Sequence, residues 1–140
     1  MGAIDTLHPK VRELAIKLIE NVKQQLDIDI IVISGLRTFK EQDKLYAQGR
    51  YALGKRVTNA KAGESWHNYG LAFDVVPVIS GKAIWDTDRW SDIGAIGAQL
   101  GLVWGGNFKS FKDKPHFEYH PNLSLDMAKE KFTKSEALNP

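Results

Sequence analysis

The chain contains no cysteine. That excludes disulfide staples, thiolate nucleophiles and cysteine-type zinc sites, so any metal has to be held by His, Asp or Glu. Histidine is scarce as well: His8, His67, His116 and His120 are the only four in 140 residues. No apolar run approaches the ~20 residues that span a bilayer. The opening "MGAIDTLHPKVRE" also lacks the charged start and apolar stretch of a secretory signal. The expectation is a protein made in the cytoplasm without a signal peptide and without membrane insertion. An excess of one charge is missing too. Nineteen Lys and Arg face 17 Asp and Glu, scattered rather than striped. No nucleic-acid partner is expected from that pattern, and only a mild preference for an anionic polymer such as a cell wall.

What is present is ordinary globular material. Hydrophobic residues make up 43% and charged residues 26%, so the chain has enough apolar surface to fold and is not a disordered segment. Residues 1–140 read as a single domain, expected to act as a monomer, with no repeat, linker or separate wall-binding domain. Leu7, Val11, Leu14, Ala15, Leu18, Ile19, Val22 and Leu26 recur at steps of three and four, which predicts an amphipathic helix from about 9 to 25, with Pro9 in its first turn. His8 then reads as a surface or capping residue. "DIIVIS" (29–34) predicts a buried strand. Thr38 and Glu41 have capping-box spacing for a helix running to Gln48 and stopped by Gly49. Residues 49–66 read as a long loop of the kind that often binds ligands. "LAFDVVPVI" (71–79) is a second strand, with Pro77 marking an edge or bulge, and "GKAIWD" is its hairpin return. A helix over 88–100, short strands at "LVW" and "HFEY", and a last helix near 124–132 complete the pattern. The fold class is α+β: a small, mainly antiparallel sheet with flanking helices.

"GESWHNYGLAFD" (63–74) places His67 and Asp74 seven residues apart. Seven residues advance about 10.5 Å along a helix and more than ~20 Å along a strand, whereas ligands of one zinc ion sit ~2.0–2.3 Å from it. Only a chain reversal brings the two tips together, and Asn68, Tyr69 and Gly70 are suitable turn material. On the strand that follows, Leu71 and Phe73 take one face, Ala72 and Asp74 the other. A carboxylate in that apolar strand needs a cation or several donors. A salt bridge and a metal ion both satisfy the requirement. "DKPHFEYH" (113–120) adds two histidines. His116, Glu118 and His120 fall on one strand face, and the Lys-Pro step can turn Asp113 toward His116. His67, Asp74 and His116 would leave one coordination position for water, as in catalytic zinc sites, with Asp113 beside that water.

"SGLRT" (34–38), "SWHNYGLAFD" (65–74) and "DKPHFE" (113–118) resemble the M15 family of zinc peptidases, in particular the L-alanyl-D-glutamate endopeptidases of phage endolysins and bacterial wall hydrolases. The pattern S-x-H-x-x-G-x-A-x-D is matched by Ser65, His67, Gly70, Ala72 and Asp74, and the acid-x-x-His element by Asp113 and His116. "LHPKV" and "WGG" (104–106) resemble that branch as well. The resemblance implies the fold of D-Ala-D-Ala carboxypeptidases and hedgehog-like zinc peptidases. It also implies one zinc ion on His67, Asp74 and His116, with Asp113 as general base and then acid. Arg37 matches an arginine that holds the substrate carbonyl or oxyanion; an ion pair is its bland alternative. Ser65 either contacts substrate or supports the turn. Gln42, on the helix after Arg37, faces the same two readings. Glu118 reads as a partner that orients a ligand imidazole, and His120 as a surface residue or a substitute ligand. The implied activity is hydrolysis of the L-Ala–D-Glu bond in the peptide stem of peptidoglycan by an endolysin that reaches the wall through a holin or after lysis. A D-Ala-D-Ala carboxypeptidase and a non-catalytic, zinc-stabilised wall-binding module are the alternatives.

Overall fold

The computed structural model describes residues 2–140. After a short 3-10 turn at Ala3–Thr6, helix α1 spans Pro9–Leu26. Pro9 occupies its first turn, and the His8 ring caps it by accepting from the Lys10 amide at 3.2 Å. The apolar stripe expected from the sequence is the buried one: Val11, Leu14, Ala15, Leu18 and Val22. Each of the Val and Leu side chains taken out of water stabilises the fold by roughly 1.5–3 kcal/mol. Asp27 ends the helix in the left-handed conformation.

Strand β1 is Asp29–Ser34, helix α2 Phe39–Ala47, strand β2 Ala72–Ile79, β3 Lys82–Ala83, helix α3 Trp90–Gln99, β4 Val103–Trp104, β5 His116–Glu118 and helix α4 Leu125–Thr133. The sheet runs β1-β2-β5-β4 with β3 on the end of β2, and every pairing is antiparallel. The predicted α+β class and mainly antiparallel sheet are therefore what the chain forms. α2 starts at the predicted capping box: the Thr38 hydroxyl accepts from the Glu41 amide, and the Glu41 carboxylate accepts from the Thr38 amide.

Two expectations need correcting. β1 is not a buried strand but the edge of the sheet. Ile30 is buried, while Ile31 and Ile33 are 48% and 42% exposed, because α1 covers only one face. β2, in turn, is central rather than an edge. Its Pro77 lies opposite Ile30 on the β1 side, and on the other side falls between the stretch paired with β5, which ends at Asp74, and the stretch paired with β3, which begins at Val78. The missing N–H therefore breaks no ladder bond there.

The core lies between the sheet and helices α1 and α3. Phe73 and Val75 of β2 and Phe117 of β5 face it, with Phe73 and Phe117 stacked at 5.8 Å. α3 reaches this layer because Gly94 and Gly97 carry no side chain. A Cβ there would lie 2.3 Å from the Trp104 ring and 2.4 Å from the Phe117 ring. By the two-residue alternation of strands, packing Phe73 and Phe117 inward turns Asp74 and His116 to the opposite face. The core thereby fixes the orientation of the site.

Leu18, fully buried on α1, offers a test of this core at a distance from the site. Leu18→Ala should lower stability by about 2–5 kcal/mol, read as a lower urea midpoint with unchanged slope. A midpoint shift equivalent to less than about 1 kcal/mol would contradict the packing described.

Candidate metal centre

The first ligand comes from the predicted chain reversal. Residues Trp66–Tyr69 form a single 3-10 turn, entered through Ser65, whose hydroxyl accepts from the His67 amide at 3.2 Å. Gly70 leaves the turn at φ 71°, a conformation that costs glycine little. Asn68 stitches the turn to its surroundings. Its side-chain oxygen accepts from the amides of Gly63 and Ser65, and its side-chain nitrogen donates to the Arg37 carbonyl. The Arg37 amide donates back to the His67 carbonyl at 2.9 Å. The backbone of "GLRT" and the turn bearing His67 are thus tied together.

The other two ligands are direct cross-strand neighbours: Asp74 of β2 pairs with His116 of β5. Asp113 reaches the same place through a tight turn, in which the His116 amide donates to the Asp113 carbonyl at 3.1 Å. Two groups of the "WGG" stretch hold that turn. The Gly105 carbonyl accepts from the Asp113 amide at 3.0 Å, and the Trp104 indole N–H donates to the Lys114 carbonyl at 2.7 Å. A Cβ on Gly105 would lie 2.2 Å from the Asp113 carbonyl oxygen and 3.0 Å from the His116 Cβ, so only glycine permits this approach.

The three ligand atoms converge. His67 Nε2 and His116 Nδ1 are 3.2 Å apart, and Asp74 Oδ1 lies 3.3 Å from His116 Nδ1 and 3.5 Å from His67 Nε2. The other ring nitrogens fix the tautomers. His67 Nδ1 sits 2.9 Å from the Gly35 carbonyl, which only accepts, so Nδ1 carries the proton and Nε2 presents a lone pair. His116 Nε2 sits 2.7 Å from a Glu118 carboxylate oxygen and likewise carries a proton, which leaves Nδ1 aimed at the centre. Asp74 Oδ1 is buried and has no hydrogen-bond partner. Three acceptors face one another at a spacing that demands a cation. Bonds of 2.0–2.1 Å in tetrahedral geometry require ligand atoms about 3.3–3.4 Å apart, and the three observed separations bracket that edge. The residues present fit a divalent ion such as zinc.

Electrostatics point the same way. Burial opposes charge on Asp74, but the adjacent His116 and His67 outweigh it and hold its carboxyl far below the usual range. Burial also opposes charge on His116, yet Asp74 and Glu118 on its two nitrogens raise its pKa to about 9. Glu118, despite burial, is drawn down to about 2 by His116 and His120. In the metal-free protein the proton on His116 supplies the positive charge that the centre requires. Asp113, half-buried, moves the other way: partial desolvation and the negative charge of Asp74 raise its pKa. A carboxylate with raised basicity beside the three convergent atoms would be equipped to accept a proton from water activated there.

His67, His116 and Asp113 line a cleft of about 690 Å³ together with Arg37, Ser65 and Trp66. Residues 57–60 of the long loop, Phe108 and Phe111 also line it. Asp113 Oδ2 lies 3.9 Å from His116 Nδ1. Arg37 has no carboxylate partner among the described residues; one of its terminal nitrogens donates to Gln42 Oε1 at 3.0 Å. Of the two readings of Gln42, substrate contact and support, its position fits support. It is fully buried outside the cleft lining and holds Arg37 from behind, with its amide nitrogen donating to the Ala60 carbonyl at 2.8 Å. Ser65 lines the cleft, but its hydroxyl is used in the turn. Glu118 is the partner of His116, as read from strand alternation. His120 is not a surface residue: it packs face to face on Trp66 and bonds Glu118, on the side of His116 away from the convergent atoms. Sequence reasoning missed the close approach at Gly105 and the bonds by which Asn68, expected only as turn material, ties the turn to Gly63 and Arg37. Their signals, "WGG" and the Asn of "WHNYG", were visible, but their partners lie elsewhere in the chain.

Two predictions follow from this geometry. Gly105→Ala should displace the Asp113 turn and lower kcat/KM by about 10²-fold, the usual cost of ångström-scale misplacement; activity within about threefold of the parent would show that Gly105 does not set the turn. In the metal-free protein, the raised pKa of His116 gives stability that is complete below pH 6.5 and lost as pH rises through about 9. The depressed carboxyls Asp74 and Glu118 give stability that is lost as pH falls below the ordinary carboxylate range. The melting temperature without metal should therefore fall between pH 6.5 and 9, and saturating zinc, by replacing the proton, should remove that fall. Parallel pH profiles with and without zinc would contradict the assignment.

A peptidase family profile described as D-alanyl-D-alanine carboxypeptidase matches residues 58–119, the segment carrying all three convergent ligands. The peptidoglycan L-alanyl-D-glutamate endopeptidase CwlK of Bacillus subtilis (strain 168) is 43% identical over 126 residues, covering 83% of this chain and 75% of that protein. Among solved structures, the L-Ala D-Glu endopeptidase ChiX of Serratia marcescens superimposes with a TM-score of 0.59 at 26% identity, covering 83% of this chain and 82% of that one. The vancomycin-resistance D,D-pentapeptidase VanY, solved with Zn(II), shares the fold with a TM-score of 0.60 at 17% identity, covering 93% and 80%. With the identity to CwlK extending over most of both sequences, the chain belongs to the M15 family of zinc-dependent peptidases.

Proposed function

We propose that the protein is a peptidoglycan hydrolase that cleaves the L-Ala–D-Glu bond of the peptide stem, using a single zinc ion held by His67, Asp74 and His116. The observation that carries this reading is the convergence of three acceptor atoms at the floor of a cleft lined by His67, His116 and Asp113, with the Asp113 carboxylate beside them. The choice of bond rests on the 43% identity to an L-alanyl-D-glutamate endopeptidase. A zinc ion at this site supplies Lewis acidity, which makes water a competent nucleophile near neutral pH. Asp113, its basicity raised by its surroundings, takes the proton of the attacking water and returns it to the leaving amine. The Arg37 guanidinium, steadied by Gln42, donates to the oxygen of the substrate carbonyl as negative charge develops there. Ser65 and Asn68 hold the His67 turn so that the ligand is positioned before substrate arrives. The role of an endolysin, acting at the wall after release from the cell, is the biological setting we attach to this activity on the phage-enzyme resemblance of its motifs.

Asp113→Asn should keep its metal and lose turnover by about 10²–10⁴-fold, the range for removal of a general acid–base group. Unchanged hydrolysis at unchanged zinc content would remove Asp113 from the chemistry. The bond itself is read by mass spectrometry of defined muropeptides after digestion. Glycan-linked L-Ala together with a peptide beginning at D-Glu is the expected outcome. Free D-Ala as the sole product would instead identify a carboxypeptidase.

A further inference from the structure

Beyond the ligands stands a second shell of contacts that closes on itself. On β5, His116 and Glu118 share a face, and His120 follows two residues on. One Glu118 oxygen bonds His116 Nε2 at 2.7 Å, and the other bonds His120 Nε2. The His120 ring lies flat on the Trp66 indole, with centroids 3.8 Å apart and planes 7° from parallel. Trp66 is the residue immediately before His67 and opens the same 3-10 turn. The circuit therefore runs from one imidazole ligand to the other: His116, Glu118, His120, Trp66, His67. Glu118 is only 8% exposed and both its oxygens are engaged. It contacts the nitrogen of His116 that points away from Asp74, which leaves it unable to serve as the base beside the three convergent atoms.

We propose that Glu118, clamped by His120 and Trp66, is a positioning residue that keeps the His116 lone pair on Nδ1 and locks the β5 ligand to the turn carrying His67. An imidazole with no acceptor on Nε2 is free to shift its proton to Nδ1 or to rotate about χ2, and either change takes the lone pair off the metal. Glu118 prevents both, and the flat His120–Trp66 stack prevents Glu118 from swinging away. Losing such an outer partner characteristically lowers metal affinity 10–100-fold. The inference rests on the reading of His67, Asp74 and His116 as a metal centre.

The test is zinc affinity of the full chain by chelator competition, together with the visible spectrum of the cobalt(II) form and the melting curve of the metal-free protein. Glu118→Ala should weaken zinc binding about 10–100-fold. Glu118→Gln should recover part of that loss, since its amide oxygen still accepts from Nε2. His120→Ala should give a smaller loss and an altered cobalt spectrum. Glu118→Ala that melts as a folded protein and binds zinc as tightly as the parent overturns the clamp alone. If Glu118→Ala does not fold, an unchanged cobalt spectrum and unchanged zinc affinity in both His120→Ala and Glu118→Gln overturn it instead. A parent chain that binds neither zinc nor cobalt overturns the metal centre and the clamp together.

Discussion

Three acceptor atoms held 3.2–3.5 Å apart in a largely buried setting repel one another unless something positive sits between them. That constraint organises the molecule. The spacing is the edge of a small coordination tetrahedron, and each imidazole has its opposite nitrogen committed to an acceptor, so neither ligand can turn away. In the metal-free protein the proton on His116 meets that need for positive charge at neutral pH, and a bound cation meets it at higher pH as well. Proteins keep groupings that need such compensation where function demands them.

The scaffold holds the cluster by ordinary packing. Phe73 and Phe117 enter the core, which is reachable because α3 presents glycines to the sheet, and the same alternation sends Asp74 and His116 to the site. The two segments that are not strands are pinned through their backbones: the His67 turn by Arg37 and Asn68, the Asp113 turn by Gly105 and Trp104. Arg37 is positioned in turn by the buried Gln42. The groups assigned to proton transfer and charge stabilisation are therefore built on anchored elements, while residues 57–60 of the long loop help to line the cleft.

Local physics made much of this legible in the sequence. The α1 stripe, the capping box at Thr38 and the reversal at Asn68–Gly70 are short-range features, and each formed as expected. The convergence of His67, Asp74 and His116 was legible because histidines are few, because a carboxylate in "LAFDVV" requires explanation, and because the motif resemblance chose His116 over His120. What was not legible depends on long-range partners. β1 looked buried because its residues are apolar, yet a strand's neighbours cannot be read from its own composition. Gln42 stood open between substrate contact and support because its partners are remote: it faces inward to the Ala60 carbonyl, 18 positions on. His120 looked exposed because the aromatic surface that covers it, Trp66, lies 54 positions earlier in the chain (120 − 66).

Family membership and site geometry agree on a zinc peptidase, and the proposed wall-stem cleavage adds the substrate to that frame. The most direct test of the central claim is X-ray absorption at the zinc edge on the loaded protein. The account requires two imidazole nitrogens and a carboxylate oxygen at about 2.0–2.1 Å, with room for a further light-atom ligand. A shell lacking imidazole scattering, or a spectrum that His67→Ala leaves unchanged, would contradict it.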